Sequence, residues 1–235
     1  MRRHRRLIRT VGLAAVLAFT VVACNPAVDW SEGGEERRFW CDPTDTEVND
    51  GHGGGHVGHH FPYTEEKGPL SWQDCALNAY FIEKGAAYAE LFPTKGVAEA
   101  NGWNWIAPWI SGQGTHHVNP AGIPATFDPN TPTMLMFDGN HSSAPLTGMV
   151  WAVNQPPGSH PPAGFPGDND HWHSHQSLCY DGDGFIIGDS ITDEECASRG
   201  GVNVDTSGIW LVHVWLPEYS GWQATDIFNK THPDI

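Results

Sequence analysis

From Trp109 onward the chain falls into short apolar runs cut by Pro, Gly and Asn, a pattern that reads as short candidate β-strands. The runs are Thr115–Val118, Met134–Phe137, Leu146–Asn154, His171–Cys179, Gly184–Gly188 and Gly208–Leu216. Before them lie two helical stretches. Ser71-Trp-Gln-Asp74 reads as a capping box, and Trp72, Cys75, Ala76, Ala79, Tyr80, Ala86, Ala87 and Leu91 recur at helical spacing until Pro93 stops them. A second short helix runs from Thr94 to about Asn101, with Gly102 as its left-handed cap. Thr192-Asp-Glu-Glu195 is another capping box, opening a helix of one to two turns that ends at Gly200-Gly201. These signals predict an α+β fold, with N-terminal helices packed on a mostly antiparallel β-sheet or a small barrel. Trp103, Trp105 and Trp109 read as core aromatics, and 11 Trp with 10 Phe supply large apolar groups for one core.

The chain ahead of this domain is of a different kind. Met1 to Arg9 is basic and Val11 to Ala23 apolar, which are the two parts of an export signal and too short for a lasting span. Val21-Val22-Ala23-Cys24 resembles the lipobox of bacterial lipoproteins, which implies that Cys24 carries the lipid and that the protein sits on the outer face of the cell membrane. Residues 24–66 are rich in Gly, Asp, Glu and Pro and too poor in aliphatic side chains to offset their ordering entropy, so they read as a flexible tether. The tether holds His52, His56, His59 and His60 among glycines, a tract that collects metal ions only loosely. Residues 67–235 form the single domain.

Loss of residues 1–23 removes five arginines and no acid, taking the formal charge from −16 to −21. So acidic a chain lacks the basic patch that nucleic acid or anionic lipid requires, leaving the N-terminal lipid as its membrane contact. Apart from Cys24 there are four cysteines, an even number outside the cytoplasm. Cys179 and Cys196 bracket a compact loop and helix and are expected to pair, leaving Cys41 with Cys75. Thiolate metal ligation is the weaker alternative because no Cys-x-x-Cys pair is present.

The histidines supply the chemistry. In Asp168-Asn-Asp170-His171-Trp-His173-Ser-His175 the three imidazoles alternate, and residues two apart on a strand share a face about 6.6 Å apart. His173 and His175 can therefore meet one ion, while His171 and His175, about 13 Å apart along a regular strand, cannot both do so. His171 also sits at the exit of the proline-stiffened loop from Gln155 to Asp168, a candidate lid or wall of a site. A third ligand must come from elsewhere. His213, in the wholly apolar run Ile209 to Leu216, needs a polar partner, although a core histidine bonded to backbone is the commoner fate. From Gly114-Thr-His116-His117-Val-Asn-Pro120 only one of the two histidines can face the same way. Asp138, Asp168 and Asp170 are turn carboxylates or acceptors that orient an imidazole. An imidazole-rich, carboxylate-poor set favours zinc or copper over iron. The alternatives are a metalloenzyme, an oxygenase or hydrolase with an open metal position gated by the proline-rich loop, and a structural or interaction module without metal.

The segments Ala98-Glu-Ala-Asn-Gly-Trp103, His117-Val-Asn-Pro120, Phe127-Asp-Pro-Asn-Thr-Pro132 before Leu135-Met-Phe-Asp138, and Leu211-Val-His-Val-Trp215 together resemble a broad group of uncharacterised secreted and lipid-anchored bacterial proteins. Asn169 to Cys179 is similar to a further segment of that group, with one residue fewer before the cysteine. The resemblance implies that His117 rather than His116, together with His213, occupies motif positions beside His171, His173 and His175. It implies no activity. The His-x-His pair is also similar to that of cupins, without the glutamate those proteins place after it.

Overall fold

The computed structural model of the protein describes residues 72–166, 172–216 and 235. The export segment 1–23, Cys24, the tether 24–66, Asp168, Asp170, His171 and the Cys41–Cys75 pairing lie outside the described residues. Helix α1 (Trp72–Ala89) and helix α2 (Lys95–Ala100) precede four strands, β1 (Asn104–Ile110), β2 (Gly114–Val118), β3 (Met134–Phe137) and β4 (Leu146–Asn154). Then come β5 (His173–Ser174), β6 (Ser177–Tyr180), β7 (Ile186–Asp189), helix α3 (Asp193–Ser198), β8 (Val202–Asp205) and β9 (Ile209–Trp215). Among the described residues no helix is long and apolar enough to cross a membrane.

Among the described residues all strand pairs are antiparallel and form two sheets, one of six strands in the order β1-β2-β3-β4-β9-β5 and one of three in the order β7-β6-β8. The expected α+β class is therefore corrected to a mostly antiparallel β structure. Two of the three helices among the described residues are only six residues long, and α3 lies late in the chain between β7 and β8, so the described helices do not make an N-terminal layer. Nor do the described strands close into a small barrel, because β1 and β5 stand at opposite ends of the larger sheet. The strand expected over His171–Cys179 is also divided. The chain leaves the larger sheet after Ser174 and enters the smaller one at Ser177, with Thr206 holding the crossing through bonds to the carbonyls of His175 and Gln176.

The register sorts the larger sheet into two faces. Leu135, Met149 and Val214 lie in one cross-strand row, with Phe137, Trp151 and Val212 on the same face. They join Ile82 and Ala89 of α1 in one apolar cluster, and a Cβ on Gly85 would run into the Trp151 ring. That close approach is why the helix carries glycine at this point. The opposite row is His116, Met136, Gly148 and Trp215, and its Met136 and Trp215 belong to a second cluster with Met134, Val150, Ala152, Leu211 and Ile235. Both faces are buried, so β3 and the first eight residues of β4 are buried throughout, and β9 reads as a continuous apolar run.

In the smaller sheet the Cys179–Cys196 disulfide ties β6 to α3 across a Cα–Cα distance of 5.7 Å, and both cysteines are fully buried. Closing a loop of 17 residues constrains the unfolded chain by roughly 3 kcal/mol in the chain-entropy description. The Thr192 hydroxyl caps α3, accepting from the Glu195 amide at 3.1 Å.

Candidate metal centre

Four histidines from three parts of the chain gather on the second face. β2 supplies His116, β9 supplies His213, β5 supplies His173, and His175 follows where the chain crosses between sheets. The ring centres of His116 and His213 are 5.6 Å apart, those of His213 and His173 5.1 Å, and those of His173 and His175 5.5 Å. Pairing dictates this. His213 lies opposite Val150 on one side, and on its other side Leu211 lies opposite His173, which places His173 diagonally across from His213. Met136, Val150, Leu211 and Trp215 surround the group with apolar surface, and His116 and His213 are only 8% and 5% exposed.

Each imidazole has its own surroundings. Nδ1 of His116 is buried without a hydrogen-bond partner among the described residues. Burial, and then the charges that His117 and His175 would carry, push its pKa down to about 4. His175 instead meets a carboxylate, its Nδ1 lying 2.8 Å from Oδ2 of Asp189, and the other Asp189 oxygen accepts a hydrogen bond from the Ser190 hydroxyl. The rings meet tilted or edge to face, at interplanar angles of 50° to 81°. In this packing no group of three or more His, Cys, Asp or Glu among the described residues is arranged to hold a metal ion.

His117 stands apart from the expectation that it shares a site with His213. It follows His116 on a strand and so faces the other way, stacked on Trp105 at 5° with ring centres 6.0 Å apart and edge-on to Phe137. Its nearest charge is Glu99, 3.6 Å away, and Lys95 binds Glu99 at 2.7 Å while lying over the Trp105 ring. Burial also pushes the His117 pKa to about 4, the Glu99 carboxylate opposing the shift and Lys95 adding to it. For Glu99 itself burial would raise the pKa, but Lys95 and His117 outweigh it and hold the carboxyl low. Asp138, a further candidate, accepts from the Trp109 indole at 3.0 Å and belongs to the β3–β4 turn. The sequence reading missed Asp189 and Ser190, since nothing in Gly188-Asp189-Ser190 distinguishes them from other turn residues.

Two neutral, buried imidazoles make the metal-free fold sensitive to acid. In the unfolded chain both titrate near 6.5, so between that value and about 4 the unfolded state binds more protons. Their contribution is complete above about pH 6.5 and is lost as pH falls toward 4, by up to about 1.4 kcal/mol per pH unit for each histidine. Urea unfolding of metal-free protein should thus show a falling midpoint from about pH 7 to about pH 5. A midpoint independent of pH over that range would mean that the two rings are not buried as neutral groups.

Comparison with models of protein families, with curated proteins and with solved structures finds no match for the chain.

Proposed function

We propose that the protein is an exported, lipid-anchored protein that binds one transition-metal ion, zinc or copper, through His116, His173, His175 and His213. The spacing of the four rings carries this reading. Two imidazoles bound to one tetrahedral ion at about 2.0–2.1 Å have ring centres roughly 5 Å apart. The three neighbouring pairs here lie at 5.1, 5.5 and 5.6 Å. What remains is rotation of the rings about their side-chain bonds, turning edge-to-face neighbours so that one nitrogen of each points inward. The orphaned Nδ1 of His116 fits the same reading, because a neutral imidazole pushed down to about 4 keeps its lone pair for a metal at any ordinary pH. Imidazole donors in an apolar setting suit zinc and copper, and four of them leave no coordination position open for chemistry. With only three engaged, the ion would supply Lewis acidity at a fourth position.

Other features support the location. The basic and apolar leader ending in Ala23-Cys24 fits export and lipidation, and the Cys179–Cys196 disulfide fits an oxidising compartment. Kinship with the secreted and lipid-anchored bacterial group that the sequence resembles is part of the same reading.

The test is metal content after loading with zinc or copper(II) and removal of excess, read beside thermal stability. About one tightly held ion per chain is expected, with a rise in melting temperature that grows with free metal. Substoichiometric metal with unchanged melting would overturn the reading and favour a structural module.

A further inference from the structure

The Asp189 and Ser190 pair deepens this reading, since its meaning for metal rests on the histidines being ligands. We propose that Asp189, itself oriented by Ser190, is a positioning residue that keeps the proton of His175 on Nδ1 and so reserves Nε2 for the ion.

The geometry comes from both sheets. Asp189 ends β7 opposite Leu178 of β6, so its carboxylate reaches the segment that leaves the larger sheet. His175 is the residue at that crossing, and its Nδ1 lies 2.8 Å from Asp189 Oδ2. An ionised carboxylate can only accept, so the hydrogen of this bond belongs to the imidazole. In a neutral ring the lone pair then resides on Nε2, which makes Nε2 the donor atom for a metal. The other carboxylate oxygen accepts from Ser190 Oγ at 2.9 Å. Ser190 holds a left-handed backbone, φ 51°, the non-glycine residue among those described that does so. Its amide is anchored to the Ser177 carbonyl at 2.9 Å. The backbone of His175 is fixed independently, its carbonyl accepting from the Thr206 hydroxyl at 3.0 Å. Main chain and ring are thus held from different strands, and an unfavourable serine conformation persists where it orients the carboxylate.

The experiment has two readouts on the full chain. Nitrogen-15 NMR of the metal-free protein reads the tautomer of His175, and chelator competition with zinc reads affinity. The wild type is expected to show the Nδ1–H form. Asp189→Asn, close to isosteric but able to donate from its amide, is expected to populate the Nε2–H form and to bind zinc about 10- to 100-fold more weakly. Ser190→Gly, which adopts the left-handed backbone freely and removes the hydroxyl, should weaken zinc in the same direction by less. An Nε2–H tautomer in the wild type, or wild-type zinc affinity in folded Asp189→Asn, overturns the proposal. If the wild type binds no zinc the metal reading fails and the assignment of Nε2 to an ion fails with it, while the tautomer still decides whether Asp189 positions the ring.

Discussion

Replacing His213 by alanine is expected to abolish the tight metal binding proposed for the cluster while leaving untouched any loose binding expected of His52, His56, His59 and His60. His213 is the hinge of the cluster, neighbouring both His116 at 5.6 Å and His173 at 5.1 Å, so its loss separates the β2 histidine from the β5 histidine. Loss of a residue that merely orients a ligand costs about 10- to 100-fold in affinity, and loss of a ligand should exceed that. Equilibrium dialysis against zinc would show the tight ion gone, and with it the metal-dependent stabilisation, about 2.7 kcal/mol when free metal is 100 times Kd. Because alanine leaves a void in an apolar wall, His213→Phe serves beside it, keeping bulk without a donor nitrogen. His117→Phe is the counter-experiment: that ring lies on the other face against Trp105, so the tight ion should remain. If His213→Phe binds zinc as the wild type does, the cluster is not the site. Loss of the ion in both His117→Phe and His213→Phe would restore the motif-based assignment.

The second large effect concerns the fold. Trp151→Ala is expected to cost 3–5 kcal/mol, about what truncating a fully buried tryptophan removes. Trp151 is 1% exposed, meets Phe165 edge-on at 5.1 Å, receives α1 at Gly85, and donates its indole N–H to the Asp128 carbonyl at 2.9 Å. Alanine would leave a cavity under the helix and a carbonyl without its donor. Set against a typical total of 5–15 kcal/mol, this brings the chain near unfolding. Denaturant midpoints would measure the loss, and limited proteolysis should find cleavage in α1 first. A loss under about 1 kcal/mol would show that α1 does not depend on this contact. Since Trp151 faces away from the histidines, variant protein that is folded should still load with metal.

What the sequence disclosed follows the range of the forces involved. The α1 and α2 helices and strands β3, β4 and β9 were legible because periodicity and caps are local. Strand β1 was not, since Trp103, Trp105 and Trp109 with Pro108 between them read as packing aromatics rather than as an edge strand. Strand β8 is short and polar at alternate positions, with Val202 and Val204 exposed, so no burial pattern marked it. The class was misjudged because helical signals announce themselves locally, whereas six strands become one sheet only through distant pairing. The same limit governs the site. The alternation of His173 and His175 was visible, but choosing between His116 and His117 required the pairing of His116 with Met136, set by β3 eighteen or more residues downstream. Asp189, 14 residues beyond His175, joins it only because the chain changes sheets between them.

The ends of the six-stranded sheet carry a consequence for how such a chain behaves at high concentration. A sheet this apolar, offering a long regular border, would recruit further strands and grow into fibres. At one end β5 is only two residues long. At the other, β1 contains Pro108, which has no amide hydrogen to give, and its pairing with β2 slips between Trp105 and Ala107 and again between Ala107 and Ile110. Neither described end presents an unbroken ladder of donors and acceptors, so the strands that build the histidine face are protected against templating their own aggregation.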